Sequence, residues 1–340
     1  MKTIIIPEPG KVEIIETPMP EPKPGEALLK VLCGGICGSD LGTYRGTFAY
    51  ASYPRIPGHE FSAEIVKING SSDTLKEGMV VTCNPYFNCT KCYSCERGLV
   101  NCCEHNETLG AQRDGAFSEY VCMPLERIYD GKGLTPDVLA AIEPFCISYH
   151  GTVTRGQVKA GDKVLVIGAG TIGALAAVAA KTQGATVYIS DVAQKKIDYA
   201  VTSFGLDGGI FNDEHMQEKC AEVTQGHGFD VTIEAVGLPS TFQAAIDAAA
   251  FGGRVVLIGV GKKNLDFNFT LLQKKELNVY GSRNALKQDF LNLIDLVSAG
   301  KVDLKKAITN TYALKDAAQA FKDFAEHGAD MLKVEIDFRK

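Results

Sequence analysis

The sequence predicts an α/β chain in two parts: an irregular β region over residues 1–150, then a doubly wound parallel sheet. Three observations carry that reading. Short apolar runs broken by Gly and Pro fill the first part. After about residue 150, strand-like apolar runs alternate with segments of helix length, the pattern of a parallel sheet covered on both faces. The length of 340 residues suits about two domains.

In order, "TIII", "ALLKVL", "EFSAEIVKI", "GMVVT" and "SEYVCM" are the short strands of the first part. "DKVLVIGAG" is a buried strand that runs into the apolar helix "TIGALAAVAAKTQG". "ATVYISD", the helix "VAQKKIDYAVTSFG", and "FDVTIEAVG" follow. The helix "PSTFQAAIDAAAFGG" then leads into "RVVLIGVG", which reads as the last parallel strand, with an apolar edge open to a second subunit. From about residue 290 the rhythm breaks. "DAAQAFKDF" is an amphipathic helix and "LKVEIDF" a closing strand, expected to return to the first domain. The expected division is 1–150 with 290–340, and 151–289.

Val164 to Ala180 carries no charge and approaches the length of a membrane span. Its early glycines and its Ala content favour a buried strand turning into a buried helix. An apolar fraction of 45 % with 22 % charged residues is that of an ordinary globular protein. The net charge of −6 speaks against a nucleic-acid surface. The opening "MKTIIIPEPGKVEIIE" lacks the apolar core and cleavage site of a signal peptide, so a cytoplasmic protein is expected. Eleven cysteines in a reducing compartment are then candidate ligands or small buried hydrophobes, not a disulfide framework.

Five of them crowd "CTKCYSCERGLVNCC". Cys89, Cys92, Cys95 and Cys103 have the spacing C-x2-C-x2-C-x7-C, which can close a tetrahedral thiolate shell around zinc. Such a shell has no open position, so its role is structural. A redox pair belongs at a helix start in another setting. Cys102 competes with Cys103 for the fourth corner.

Gly168, Gly170 and Gly173 form G-x-G-x-x-G between a strand and a helix, with Asp191 ending the next strand. That context is the Rossmann fingerprint: glycines for the turn and the phosphate approach, an acid for the ribose hydroxyls. Thr171 and Ile172 lie in the same turn. Asp191 favours NAD over NADP by repelling a 2′-phosphate, and Lys195 and Lys196 soften that preference or form a solvated helix face.

Cys37 in "GGICGSD", His59 and Glu60 in "YPRIPGHE", and Glu143 in "AIEPFCISYHG" are each weak signals alone. Cys, His and carboxylate are the mixed donors of a catalytic zinc that keeps a position open. In this order, with the four-cysteine lobe and the glycine fingerprint, they resemble the zinc-dependent medium-chain dehydrogenases over essentially the whole chain. Glu143-Pro144 is similar to the sorbitol and threonine dehydrogenase branch. "GSRNA" at 281–285, "YPRIPGHE" and "EPFCIS" most resemble members that oxidise sugar acids such as L-galactonate.

The resemblance implies a GroES-like catalytic domain, a Rossmann domain, two zinc ions per subunit, and NAD. It implies zinc ligands at Cys37, His59 and Glu60, with Glu143 a direct ligand or one water away. Asp40 would hold the second nitrogen of the His59 ring, and Ser39 would take the substrate proton. Glu234, Gly237 and Ser282 resemble the nicotinamide edge of the cofactor site. Tyr44 and Arg283 are the candidate substrate contacts, packing or surface roles being the alternative for each. Many polyol dehydrogenases carry a His where this chain has Gly42, which leaves Thr43 or Tyr44 to continue the relay. Ala63 replaces a family glycine.

The implied reaction is hydride transfer from a secondary alcohol of a hexonate to NAD, by a homodimer or homotetramer, with no nucleic-acid or membrane partner. The rivals are a polyol, polyol-phosphate or threonine dehydrogenase and, from another class, an NAD- and zinc-binding redox sensor without turnover. A sensor needs no open metal, so the joint presence of Cys37, Ser39, His59 and Glu60 disfavours it.

Overall fold

The computed structural model describes residues 1–261 and 263–340. It divides into Met1–Glu143 with Leu286–Lys340, and Pro144–Ala285. The boundaries read from the sequence lie a few residues C-terminal of these.

In the first unit the long strand Glu26–Ile36 pairs antiparallel with Glu60–Asn69 on one side and with the C-terminal strand Lys333–Asp337 on the other. Val80–Cys83 and Ile128–Asp130 extend the sheet on one flank, and Ile308–Ala313 on the other. Ile4, Leu29, Val31, Phe61, Phe117 and Phe321 are fully buried in its core. Three strand ends meet as a result. Cys37 follows Ile36, Glu60 opens its strand, and Lys333 opens the closing one. Residues remote in sequence are thus gathered by register alone.

Among the described residues, the second unit holds six parallel strands in the order Gly208–Phe211, Thr186–Asp191, Lys163–Ile167, Phe229–Glu234, Ala249–Leu257, Asn278–Gly281. This doubly wound order reverses beside Lys163–Ile167, where dinucleotides bind in such sheets. Alternate residues of that strand serve opposite faces. Val164 and Val166 pack with Ala176, Ala177 and Ala180, while Leu165 and Ile167 pack with Ala245 and Ile246. Both faces are covered, so the strand reads as one continuous apolar run.

The "RVVLIGVG" segment is not the outer strand. It lies between Phe229–Glu234 and Asn278–Gly281, and the latter forms the edge. Four residues of mixed polarity give too short a period to be read as a strand from sequence. Among the described residues no helix is long and apolar enough to cross a membrane. Val164–Ala180 is divided between the strand Lys163–Ile167 and the helix Thr171–Thr182.

Candidate active site

Among the described residues, two groups of side chains could hold a metal ion: Cys37, His59 and Glu60, and Cys89, Cys92, Cys95 and Cys103. Within each group the donor atoms lie within 4.8 Å of one another.

In the four-cysteine lobe, Cys103 is buried and faces the other three thiols, whereas Cys102 is exposed outside the set. Cys92 Sγ and Cys103 Sγ are 3.9 Å apart, and Cys103 Sγ accepts the Cys89 N–H at 3.2 Å. Backbone N–H groups, first that of Glu104, pull the Cys92 thiol down to about 6. A thiolate at neutral pH is the form that binds zinc. The donor chemistry fits a closed tetrathiolate site.

The first group lies where the three strand ends meet. The helix Gly38–Tyr44 starts directly after Cys37, with Ser39 half-buried in its first turn. Asp40 is buried. Its two oxygens accept the backbone N–H of Cys37 at 2.9 Å and of Gly58 at 3.1 Å. It therefore fixes the loops that carry Cys37 and His59 and makes no hydrogen bond to the imidazole. His59 Nδ1 is buried without a hydrogen-bond partner. The expected ring contact from Asp40 is absent: its oxygens are turned to the two backbone N–H groups.

Glu60 is buried and paired with Lys333, whose Nζ lies 2.5 Å from Glu60 Oε2 and 3.2 Å from the Ile36 carbonyl. Gly35 makes room for this pair: a Cβ there would sit 2.3 Å from Glu60 Oε2. Lys333 was not legible in the sequence. Its strand alternates charged and apolar residues as a half-exposed strand does, yet all five residues are buried. Glu143 stands outside the three-donor set, and its Oε1 accepts a hydrogen bond from the hydroxyl of Tyr86, a second residue not legible in the sequence.

The buried ionisable groups act on one another. Burial raises the Glu143 and Asp40 carboxyls above their usual range, His59 pulls both back, and Glu60 adds to the rise. Burial alone would lower His59, but the Cys37 thiol, Asp40 and Glu143 hold it well above its ordinary value. Burial would lower Lys333 as well, and Glu60 and Cys37 raise it instead. A soft sulfur, an imidazole and a carboxylate with donor atoms within 4.8 Å of one another fit zinc with an open position.

Gly42 has Phe48 Cβ only 3.1 Å from where its own Cβ would be, so Phe48 takes the space of a side chain there. The buried Thr43 hydroxyl donates to the Ser39 carbonyl at 3.1 Å. Tyr44 packs its ring on Phe321, with centroids 5.9 Å apart.

In the second unit the fingerprint glycines have separate tasks. Gly168 has φ +103°, a left-handed backbone. A Cβ on Gly173 would lie 1.7 Å from the Gly168 carbonyl oxygen, so the helix can approach the strand only at glycine. Gly170 caps Thr171–Thr182 and has open space where a side chain would be, as a phosphate at this helix end requires. Thr171 and Ile172 are half-buried in the first turn. Asp191 ends its strand, and its oxygens accept the N–H of Ala169 at 2.7 Å and of Ala193 at 2.9 Å. Each oxygen keeps a further lone pair for a ribose hydroxyl. Lys196 is half-buried and Lys195 exposed.

Glu234 has a task in the loop that follows it. Its Oε1 accepts from the Val236 and Gly237 N–H groups and from the Thr241 hydroxyl, so it builds the loop after its strand. Ser282 Oγ is buried without a partner. Arg283 follows it, exposed.

The fold and the two donor sets define a zinc oxidoreductase with a dinucleotide domain, and the comparisons give its family. Residues 23–132 match the alcohol dehydrogenase GroES-like domain and residues 171–299 the zinc-binding dehydrogenase domain. L-galactonate-5-dehydrogenase of Escherichia coli K12 is 33 % identical over 338 residues, 99 % of either chain. A solved alcohol dehydrogenase of Escherichia coli CFT073, complexed with NADH, superposes with a TM-score of 0.92 at 31 % identity, covering 99 % of both chains. Galactitol-1-phosphate dehydrogenase of Escherichia coli gives 0.91 at 29 % identity, covering 99 % of this chain and 100 % of that one. The chain belongs to the zinc-dependent medium-chain alcohol dehydrogenases, NAD-dependent oxidoreductases that act on CH–OH donors.

Proposed function

We propose that this chain oxidises a secondary hydroxyl of a hexonate of the L-galactonate or L-gulonate kind to a keto acid, with NAD as acceptor. The observation that carries the reading is the set of half-buried Cys37 with buried His59 and Glu60, whose three donor atoms lie within 4.8 Å of one another. When bound, zinc supplies a Lewis acid that lowers the pKa of a hydroxyl, and NAD supplies the hydride acceptor.

The chain's own residues do the rest. Cys37, His59 and Glu60 hold the catalytic ion, and the four-cysteine lobe holds the second. Ser39, two residues from Cys37, relays the hydroxyl proton, passing its own on towards solvent as it accepts the substrate's. Asp40 keeps the Cys37 and Gly58 backbones in place, and Lys333 balances the charge of Glu60. The Gly168–Gly173 turn takes the pyrophosphate. Asp191 binds the ribose and excludes a 2′-phosphate, favouring NAD over NADP. Ser282 offers its unpartnered hydroxyl to the cofactor.

The hexonate assignment rests on the 33 % identity to L-galactonate-5-dehydrogenase and on Arg283, whose guanidinium can grip a carboxylate through two parallel hydrogen bonds. A polyol phosphate is the second reading, because an Arg suits a phosphate equally and galactitol-1-phosphate dehydrogenase shares the fold. NADH formation over a panel of hexonates, sorbitol and galactitol 1-phosphate separates them. Arg283→Ala should raise KM for the hexonate far more than KM for NAD. Better turnover of sorbitol or the sugar phosphate than of any hexonate refutes the assignment.

The subunit is proposed to form a cytoplasmic dimer or tetramer, with Asn278–Gly281 as the available sheet edge. A monomer by light scattering at micromolar concentration contradicts this.

A further inference from the structure

We propose that Tyr86 is a positioning residue that holds the Glu143 carboxylate beside the catalytic ion but out of its ligand set, so that one coordination position stays open for substrate. This rests on the reading that Cys37, His59 and Glu60 hold that ion.

Two carboxylates border the site, and each is tied to a different partner. Glu60 belongs to the close-packed donor set and is paired with Lys333. Glu143 lies outside the set, and its Oε1 accepts a hydrogen bond from the Tyr86 hydroxyl. Both Tyr86 and Glu143 are buried, so water does not compete for that bond. A hydroxyl donating to a carboxylate makes one of the stronger hydrogen bonds, and it satisfies an oxygen that would otherwise seek a cation.

Tyr86 is itself held from several sides. Its N–H donates to Asn84 Oδ1 at 2.9 Å, and its carbonyl accepts from Arg127 Nη1. Arg127 also grips Asn88 Oδ1 at 2.8 Å and lies over the Phe87 ring at 4.7 Å. The short strand Tyr86–Phe87 pairs with Glu107–Thr108. These contacts fix the Tyr86 backbone, and the buried ring reaches from that fixed point to Glu143, so the hydroxyl acts as a tether. The consequence is a matter of ligand count. Three protein donors leave zinc an open position, and a fourth closes the shell as in a structural site.

The test compares wild type, Tyr86→Phe, Glu143→Gln and the double variant, each with cobalt in the catalytic site and zinc kept in the cysteine lobe. Phe keeps the ring and removes only the oxygen. Released from Tyr86, Glu143 should join the metal. Loss of catalytic cobalt to a chelator should then slow about 10-fold, the scale on which partners of metal ligands act. The visible cobalt absorption should shift as a carboxylate takes the open position, and KM for the alcohol should climb while KM for NAD holds. Glu143→Gln alone should release cobalt at the wild-type rate, and Tyr86→Phe should add nothing in that background.

Unchanged release and absorption in Tyr86→Phe, or the same changes where Glu143 is already Gln, overturn the Tyr86 assignment. So does faster release in Glu143→Gln alone, which would make Glu143 a resident ligand. A wild-type chain that takes up metal only at the four cysteines overturns the underlying site reading and this inference with it.

Discussion

Replacing Lys333 by Met removes one partner of an ion pair in which neither side chain is more than 3 % exposed. Met nearly matches the lysine stem in length, so packing changes little and the charge is what is lost. Breaking a buried pair from one side costs about 3–5 kcal/mol, because the remaining charge is left unbalanced. Glu60 would also lose its 2.5 Å hydrogen bond, and the Ile36 carbonyl its 3.2 Å donor. A unit of this size has an unfolding entropy of about 0.4 kcal/mol/K, so the cost corresponds to a melting temperature lower by roughly 7–12 °C. A zinc ion held by Glu60 would offset part of this, so the drop should be larger after chelation than in the loaded protein. Scanning calorimetry with and without chelator reads both values. Glu60→Gln added to Lys333→Met should recover most of the loss, since deleting both charges is far less costly than deleting one. A Lys333→Met melting temperature within 1–2 °C of wild type in the chelated protein would refute the buried-pair argument.

Other substitutions probe separate parts of the structure. Burial raises Glu335 to about 8, so folding favours its protonated form and loses stability as pH climbs from the unfolded carboxyl range towards that value. Glu335→Gln should therefore gain stability over wild type between pH 5 and pH 8 in thermal melts, and a pH-independent difference would contradict the shift. Asp191→Ala should bring the kcat/KM values for NADP and NAD about 10-fold closer, losing both a ribose acceptor and the repulsion of a 2′-phosphate. It should also weaken NAD binding, because Asp191 holds the Ala169 and Ala193 N–H groups; comparable efficiency with both cofactors in the wild type would undo the assignment. Cys103→Ser should lower the melting temperature more than the turnover of the surviving enzyme, and Cys37→Ser the reverse. Equal effects of the two changes on stability would argue against separate structural and catalytic roles.

The parts of this account that were legible in the sequence are those whose causes are local. The three fingerprint glycines lie within one turn, and each answers a backbone demand visible from its neighbours: a left-handed angle at Gly168, open space at Gly170, a close contact at Gly173. The four-cysteine lobe is spaced within 15 residues, and burial separates Cys103 from Cys102. Lys333 and Tyr86 are different. Lys333 is 273 positions from Glu60, and Tyr86 is 57 from Glu143. Their meeting depends on sheet register and on a short two-residue strand, which no periodicity announces. Position 191 was read for its ribose contact, but the two backbone N–H groups it also holds emerge only with the loop in place. Glu234 was placed from resemblance, while its bonds to Val236, Gly237 and Thr241 show a loop-building task that residue type alone could not distinguish.

The most direct test of the central claim is the zinc content of the wild-type chain and of Cys37→Ser, both purified without chelator. An open Cys37, His59 and Glu60 site beside a closed tetrathiolate predicts two zinc ions per wild-type chain. Cys37→Ser should keep one ion and lose NADH formation while its melting temperature stays near that of wild type. One zinc or none in the wild type, or two in a fully active Cys37→Ser, would contradict the account.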